Sequence, residues 1–335
     1  MRRAAFLAGA AIAGLALPAR AQTPAADEEY DPATTAQSPS LRVLLGSGEA
    51  VAAAGGGFTF NGRRYRGTFT RTTDGSVVNL VSLEEYLYSV VPREMSPSWP
   101  ESALQAQAVC ARTYVLSRSS PRRAYDLVPS EADQVYGGVA TESASGRSAV
   151  DATAGLLLQY QGRPAQAVYS SCCGGHTEAS SDAWGGAPLA YLEGVPCPHC
   201  MASPQYRWSV ELQRASIEQA FSAALASYGS LQDVLCGPAD ASGRLRTIEL
   251  RAERGSAFVK GSAFRSGLGS RVVRSLLITK IERSSSSNDG LVMEGGGLGH
   301  GVGLCQWGAR GMGLEGATSS DILNFYFPGT TVGHE

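Results

Sequence analysis

The stretch Ser82–Tyr114, SLEEYLYSVVPREMSPSWPESALQAQAVCARTY, carries two helix starts and a proline-pinned bend between them. Ser82 followed three residues later by Glu85 is a capping box, so a helix is expected from about Leu83 to Val91. It should stop there because Pro92 disfavours helix at the residue before it. Ser98 and Glu101 repeat the arrangement with Pro100 in the first turn, and the helix they open should reach roughly Leu116. Glu94 then falls on the short connection Pro92 to Pro97, a loop held by rigid elements, where catalytic groups are often placed.

Two readings of Glu94 follow from the residues alone. Val90, Val91, Met95 and Trp99 could remove water from its carboxyl and keep it protonated near neutral pH, as a general acid requires. Arg93 and Arg112 pull the other way, toward a charged carboxylate in a structural ion pair. Glu101 sits where a capping carboxylate belongs, so its expected role is the helix start.

Around this pair of capped helices the chain is punctuated by short β-prone runs. Leu41 to Leu45, Gly57 to Phe60, Tyr65 to Thr70 and Val77 to Val81 suggest a small antiparallel sheet, separated by turn segments such as Thr73-Asp74-Gly75. Further strands are expected at Gly155 to Tyr160, Pro164 to Ser170, Thr247 to Arg251 and Ser275 to Ile281, with helices at Ala215 to Ser227 and Ser320 to Tyr326. Strands and helices without regular βαβ alternation argue for an α+β fold of mixed antiparallel sheets. The folded part should run over residues 41–333, as one domain or two subdomains, after a Pro- and Ser-containing linker at 22–40 that is poor in apolar residues.

The first residues, MRRAAFLAGAAIAGLALPARAQ, place Arg2 and Arg3 before an apolar run and an Ala19-Arg20-Ala21 cleavage pattern. They read as an export signal over residues 1–21, by the general or the twin-arginine route, and imply a periplasmic or cell-wall location. The apolar run is shorter than the roughly 20 residues a spanning helix needs, so no transmembrane anchor is expected in the mature chain. Among 335 residues, 28 basic and 30 acidic side chains nearly cancel, which gives no basic surface for nucleic acid.

Seven cysteines in an exported chain leave at least one unpaired or metal-bound. Cys172-Cys173-Gly-Gly-His176 and Cys197-Pro-His199-Cys200 gather most of them, with Cys197 and Cys200 at zinc-ligand spacing. A structural zinc held by Cys173, Cys197, Cys200 and either His176 or Cys172 is one reading. One or two disulfides are another, and a Cys-His peptidase pair is a third. The glycines of GHGVGLCQWG at 299, 301 and 303 do not form the G-x-G-x-x-G of a nucleotide loop.

The opening stretch closely resembles the signature of the stage II sporulation protein D and amidase-enhancer (SpoIID/LytB) family of bacterial wall proteins. YDLVPSEADQVYGG, YSSCCGGHTEASSDAWGG, GSAFRSGLG and GHGVGLCQWGARGMGLEGATSSDILNFYFPG agree with it in order. The resemblance implies a SpoIID-like fold and a lytic transglycosylase acting on peptidoglycan glycan strands freed of stem peptides, without a catalytic cofactor. It carries the catalytic acid onto Glu94 and implies polar groove positions at Arg112, Gln134, Tyr136, His300 and Gln306. The enhancer branch implies the alternative, a non-catalytic wall-binding protein that stimulates a cell-wall amidase. Sporulation members can carry a Cys/His metal cluster before Q-V-Y, whereas this chain has Val128-Pro129-Ser130-Glu131-Ala132-Asp133 there. Cys110 and Cys305 stand where relatives have alanine and serine, so both are expected as small buried residues.

Overall fold

The computed structural model describes residues 39–118, 124–287 and 289–334. The expected export signal, and the linker as far as residue 38, lie outside the described residues. The chain divides into two compact units, one of residues up to 166 together with 331–335, the other of Ala167–Thr330. The architecture is α+β, with antiparallel sheets and helices in both units.

The first unit opens with β1 (Ser40–Gly46), β2 (Ala50–Ala52), β3 (Phe58–Phe60), β4 (Arg63–Tyr65), β5 (Thr68–Arg71) and β6 (Val77–Ser82). They pair antiparallel as two sheets, β1-β6-β5 and β2-β3-β4. Leu41 and Val43 of β1 alternate inward and are buried with Val77, Val78 and Val81, the one-face pattern that fixes register in a half-covered sheet. The expected run Tyr65 to Thr70 is split between the two sheets at Gly67. Its φ of 71° is left-handed and a Cβ there would overlap the Leu80 carbonyl oxygen, so only glycine turns this corner.

Helices α1 (Leu83–Glu94), α2 (Glu101–Arg118) and α3 (Ala144–Asp151) pack together beneath these strands. Ser82 caps α1 through the Glu85 amide, and its hydroxyl also donates to the Glu85 carboxylate at 2.9 Å. The helix does not stop at Val91: it runs through Pro92 to Glu94, and the Met95 amide closes the last turn onto the Val91 carbonyl at 3.0 Å. A proline one turn from the end forfeits a single helical hydrogen bond, and the burial of Val90, Val91 and Met95 offsets that loss. The expected Ser98 cap of α2 does not form. Ser98 bonds the Ser96 hydroxyl, and Glu101 accepts from Gln105 along the helix. Helix α2 is buried nearly all round, and its alanines at 103, 106, 108 and 111 let neighbours approach closely. β7 (Leu157–Tyr160) and β8 (Arg163–Pro164) complete the unit with the strand Thr331–Gly333, which pairs antiparallel with β7.

The second unit contains β9 (Tyr169–Ser170), α4 (Ser180–Trp184), β10 (Trp208–Gln213), α5 (Arg214–Ala220), α6 (Ser222–Leu225), β11 (Leu231–Cys236), β12 (Thr247–Ala252) and β13 (Gly255–Lys260). It continues with α7 (Gly261–Leu268), β14 (Ile278–Arg283), β15 (Gly290–Gly295), β16 (Leu304–Cys305), α8 (Gln306–Leu314) and α9 (Ser319–Tyr326). Two antiparallel sheets, β10-β15-β14 and β11-β12-β13, enclose a core that includes Trp208, Ile217, Val234, Ile248, Leu250, Phe264 and Met293. The helix expected over Ala215 to Ser227 is two pieces meeting at Phe221, which leaves helical geometry and stacks on Phe264 at 5.4 Å. A short parallel ladder pairs Tyr169 with Leu304 and Ser170 with Cys305, bringing the CCGGH segment beside the start of α8.

Candidate functional site

Glu94 is the last residue of α1, half-buried between buried Met95 and exposed Arg93. The helix continues one turn further than its sequence suggests, so the carboxyl sits at the C-terminal end of the helix. Its Oε1 accepts the Val135 amide at 3.3 Å. The segment that supplies this amide is pinned from both sides. Asp133 accepts the Val128 amide at 2.9 Å and the Tyr114 hydroxyl at 3.2 Å, while the Ser89 hydroxyl accepts the Gly137 amide at 3.0 Å.

Two helical turns before Glu94, on the same face of α1, lies Tyr86. The ring is wholly buried and packs against Tyr136 at 4.8 Å, and among the described residues its hydroxyl has no hydrogen-bond partner. Burial, with smaller contributions from Tyr136 and Glu94, pushes its phenol well above the ordinary tyrosine range, so it stays a neutral donor. The sequence reading missed Tyr86. The signal was the spacing of eight between Tyr86 and Glu94, legible only once α1 is carried through Pro92.

Arg112 is placed differently from the expectation of a groove residue or a partner for Glu94. Its guanidinium is buried and grips Glu84 with two bonds, Nε to Oε1 at 2.8 Å and Nη2 to Oε2 at 2.6 Å. Nη1 donates to the Leu156 carbonyl, and Nη2 donates to the Val150 carbonyl as well. It ties α2 to α1 and to the turn before β7. Tyr136 is likewise interior: its hydroxyl donates to Asn79 Oδ1 at 2.8 Å, and Asn79 spans the Arg66 and Thr68 carbonyls. Gln134 is fully buried and donates to the Ala111 carbonyl at 3.1 Å, and its Oε1 has no partner among the described residues.

His300 and Gln306 belong to the second unit. His300 Nδ1 accepts the Val302 amide at 3.0 Å, which leaves Nε2 to donate to the Tyr169 carbonyl at 2.9 Å. Both nitrogens are used by the backbone, and burial lowers the pKa to about 4, so the ring is neutral. Gln306 is buried at the first position of α8.

The cysteine cluster departs from its expected membership. The sulfurs of Cys173, Cys197, Cys200 and Cys305 all lie within 4.8 Å of one another, each residue fully buried. Cys305, expected as a plain buried side chain, is the fourth member in place of His176 or Cys172. His176 instead turns Nδ1 to the Thr177 carbonyl at 2.7 Å, and His199 pairs with Glu315 at 2.8 Å. That leaves neither imidazole positioned as the base of a cysteine peptidase. Cys236 is exposed and apart from the group.

Comparison with known proteins matches residues 71–160 to the family model described as stage II sporulation protein, which spans Glu94 and its surroundings. A second model, a domain of unknown function (DUF8618), matches residues 199–303. An uncharacterised protein of Brachyspira hyodysenteriae is 33% identical over 282 residues, covering 82% of this chain and 74% of that one. The stage II sporulation protein D of Bacillus subtilis is 28% identical over 280 residues, covering 78% and 77%. The amidase enhancer of the same organism is 28% identical over 298 residues, but the chain spans only 40% of its length. The chain belongs to the stage II sporulation protein D and amidase-enhancer family.

Proposed function

We propose that this chain is an exported lytic transglycosylase that cleaves the bond between N-acetylmuramic acid and N-acetylglucosamine in peptidoglycan glycan strands, with Glu94 as its single acid and base. The observation that carries the reading is the seat of Glu94: a half-buried carboxyl at the C-terminal end of a capped helix, beside a backbone amide on a pinned segment. Protonated Glu94 donates to the bridging oxygen as positive charge grows at the anomeric carbon and the glycosidic bond breaks. The sugar's own 6-hydroxyl then bonds to that carbon and yields its proton to the Glu94 carboxylate. The product is a 1,6-anhydro end, and the acid is restored without water.

Asp133 supports a one-carboxyl scheme, because both its oxygens are committed to the Val128 amide and the Tyr114 hydroxyl. Gln134, whose buried Oε1 has no partner among the described residues, remains a candidate for contact to sugar. For Arg112 and Tyr136 the interior hydrogen bonds favour a structural role.

A second reading rests on the match to the amidase enhancer: a wall-binding protein that stimulates an amidase without cutting glycan itself. The test is incubation of the mature chain and its Glu94→Gln variant with peptide-free glycan strands, the products identified by mass spectrometry. Anhydro-muramyl ends from the wild type alone are expected. Their absence with wild type, together with stimulation of an added amidase by both proteins, would favour the second reading.

A further inference from the structure

We infer that Cys173, Cys197, Cys200 and Cys305 hold one zinc ion in a closed tetrahedral thiolate site within the second unit. The inference is independent of the role of Glu94. Zinc–thiolate bonds of about 2.3 Å place the four sulfurs of a tetrahedron about 3.8 Å apart. Here the Cys173 and Cys200 sulfurs are 3.6 Å apart, and all four fall within 4.8 Å of one another. Clusters of two or more irons need wider separation between sulfurs bound to different metals. Two disulfides would draw the same atoms into pairs, whereas each of these four sulfurs lies within 4.8 Å of the other three.

Backbone and hydroxyl groups face the sulfurs. Cys305 Sγ accepts the Cys173 amide at 3.2 Å and the Gly308 amide at 3.4 Å, the second as the N-cap of α8. The Tyr326 hydroxyl lies 3.1 Å from Cys197 Sγ, within reach to donate to that sulfur once zinc is bound. Three donors and a helix N-terminus thus offset the negative charge that four thiolates around a divalent ion carry. Cys197 and Cys200 project from one tight turn, Pro198–Cys200, and α8 lies directly against it. A Cβ at Gly308 would overlap the Tyr326 hydroxyl and come to 2.9 Å from Cys197 Sγ; at Gly311 it would overlap the His199 carbonyl oxygen. The helix has been brought as close to the sulfurs as a backbone allows.

Full burial of all four ligands closes the site to substrate, so the ion is structural. It joins the CCGGH segment, the 197–200 turn and the start of α8, which also meet through the β9–β16 ladder, the Cys197 amide on the Gly175 carbonyl and the packing of α8 on the turn. Loading exchanges four thiol protons for one zinc ion, with no change of oxidation state and no external oxidant.

The test begins with the full mature chain purified without chelator. Elemental analysis should give one zinc per chain, and native mass spectrometry should show one zinc added in place of two protons, the mass shift of a divalent ion. Thiol titration in denaturant with chelator should count seven thiols. Cys305→Ser should lose the metal and Cys172→Ser should keep it. Cobalt substituted into the wild type should show thiolate charge-transfer bands and intense tetrahedral d–d absorption, a readout that needs no variant to fold. Metal-free protein with fewer than seven thiols would overturn the site in favour of disulfides. Iron as the bound ion would overturn the choice of zinc, and zinc lost from Cys172→Ser but retained by Cys305→Ser would overturn the ligand set.

Discussion

Arg112 and Glu84 meet as a buried two-bond ion pair between α2 and α1, with the two side chains 1% and 5% exposed. Removal of either partner leaves an uncompensated charge in the interior. Arg112→Ala or Glu84→Ala should therefore lower unfolding free energy by about 3–5 kcal/mol, measured by urea denaturation. Arg112→Lys should recover only part of the loss, because an ammonium cannot reproduce the guanidinium fork. An Arg112→Ala protein of wild-type stability that has lost glycan binding would restore the groove role and remove the structural one.

Glu94→Gln separates chemistry from folding. The amide keeps the size of the side chain and can still accept the Val135 amide, so the thermal midpoint should move little. Turnover of glycan strands should fall roughly 10²–10⁴-fold, the usual contribution of a positioned acid, with the loss in kcat rather than KM. Unchanged turnover would place the acid elsewhere.

Tyr86→Phe deletes a buried hydroxyl that has no partner among the described residues. Its removal should be neutral or stabilising, since an unsatisfied buried hydroxyl costs free energy in the folded state. A loss of more than about 1 kcal/mol in chemical denaturation would mean that the hydroxyl is hydrogen-bonded in solution.

His300 should remain neutral well below the ordinary histidine range, titrating at about 4. A histidine whose folded pKa is depressed takes up protons more readily when unfolded. Its contribution to stability is thus present above about 6.5 and is lost as pH falls from there toward 4. Imidazole resonances followed by NMR would show this, and a midpoint near 6.5 for His300 would mean that its two backbone hydrogen bonds do not hold in solution.

Local chemistry made much of the first unit legible. The Ser82 cap, the valine-rich β6 and the alanine-rich second helix each carry their own signal, and each forms where expected. Pro92 disfavours helix locally, and the burial of Val90, Val91 and Met95, which no local signal shows, holds the last turn of α1 past it. The second unit was less legible, since its helix α8 is interrupted by glycines that exist for close approach rather than for turning. Cys305 could not be joined to Cys173 by spacing, because their meeting depends on a parallel ladder between segments far apart in sequence. Arg112 illustrates the limit in the other direction. Its residue type suits a sugar groove, and only the position of Glu84 one helix away shows what its charge is for.

The strand Thr331–Gly333 covers β7, and Gln159 also reaches the His334 carbonyl at 3.0 Å. The first unit is thus closed by a strand that follows the whole of the second in sequence. A chain that stops between residues 166 and 331 leaves β7 with a bare edge, the kind of surface that invites aggregation. For this topology the unit bearing Glu94 is closed only once Thr331–Gly333 has been made.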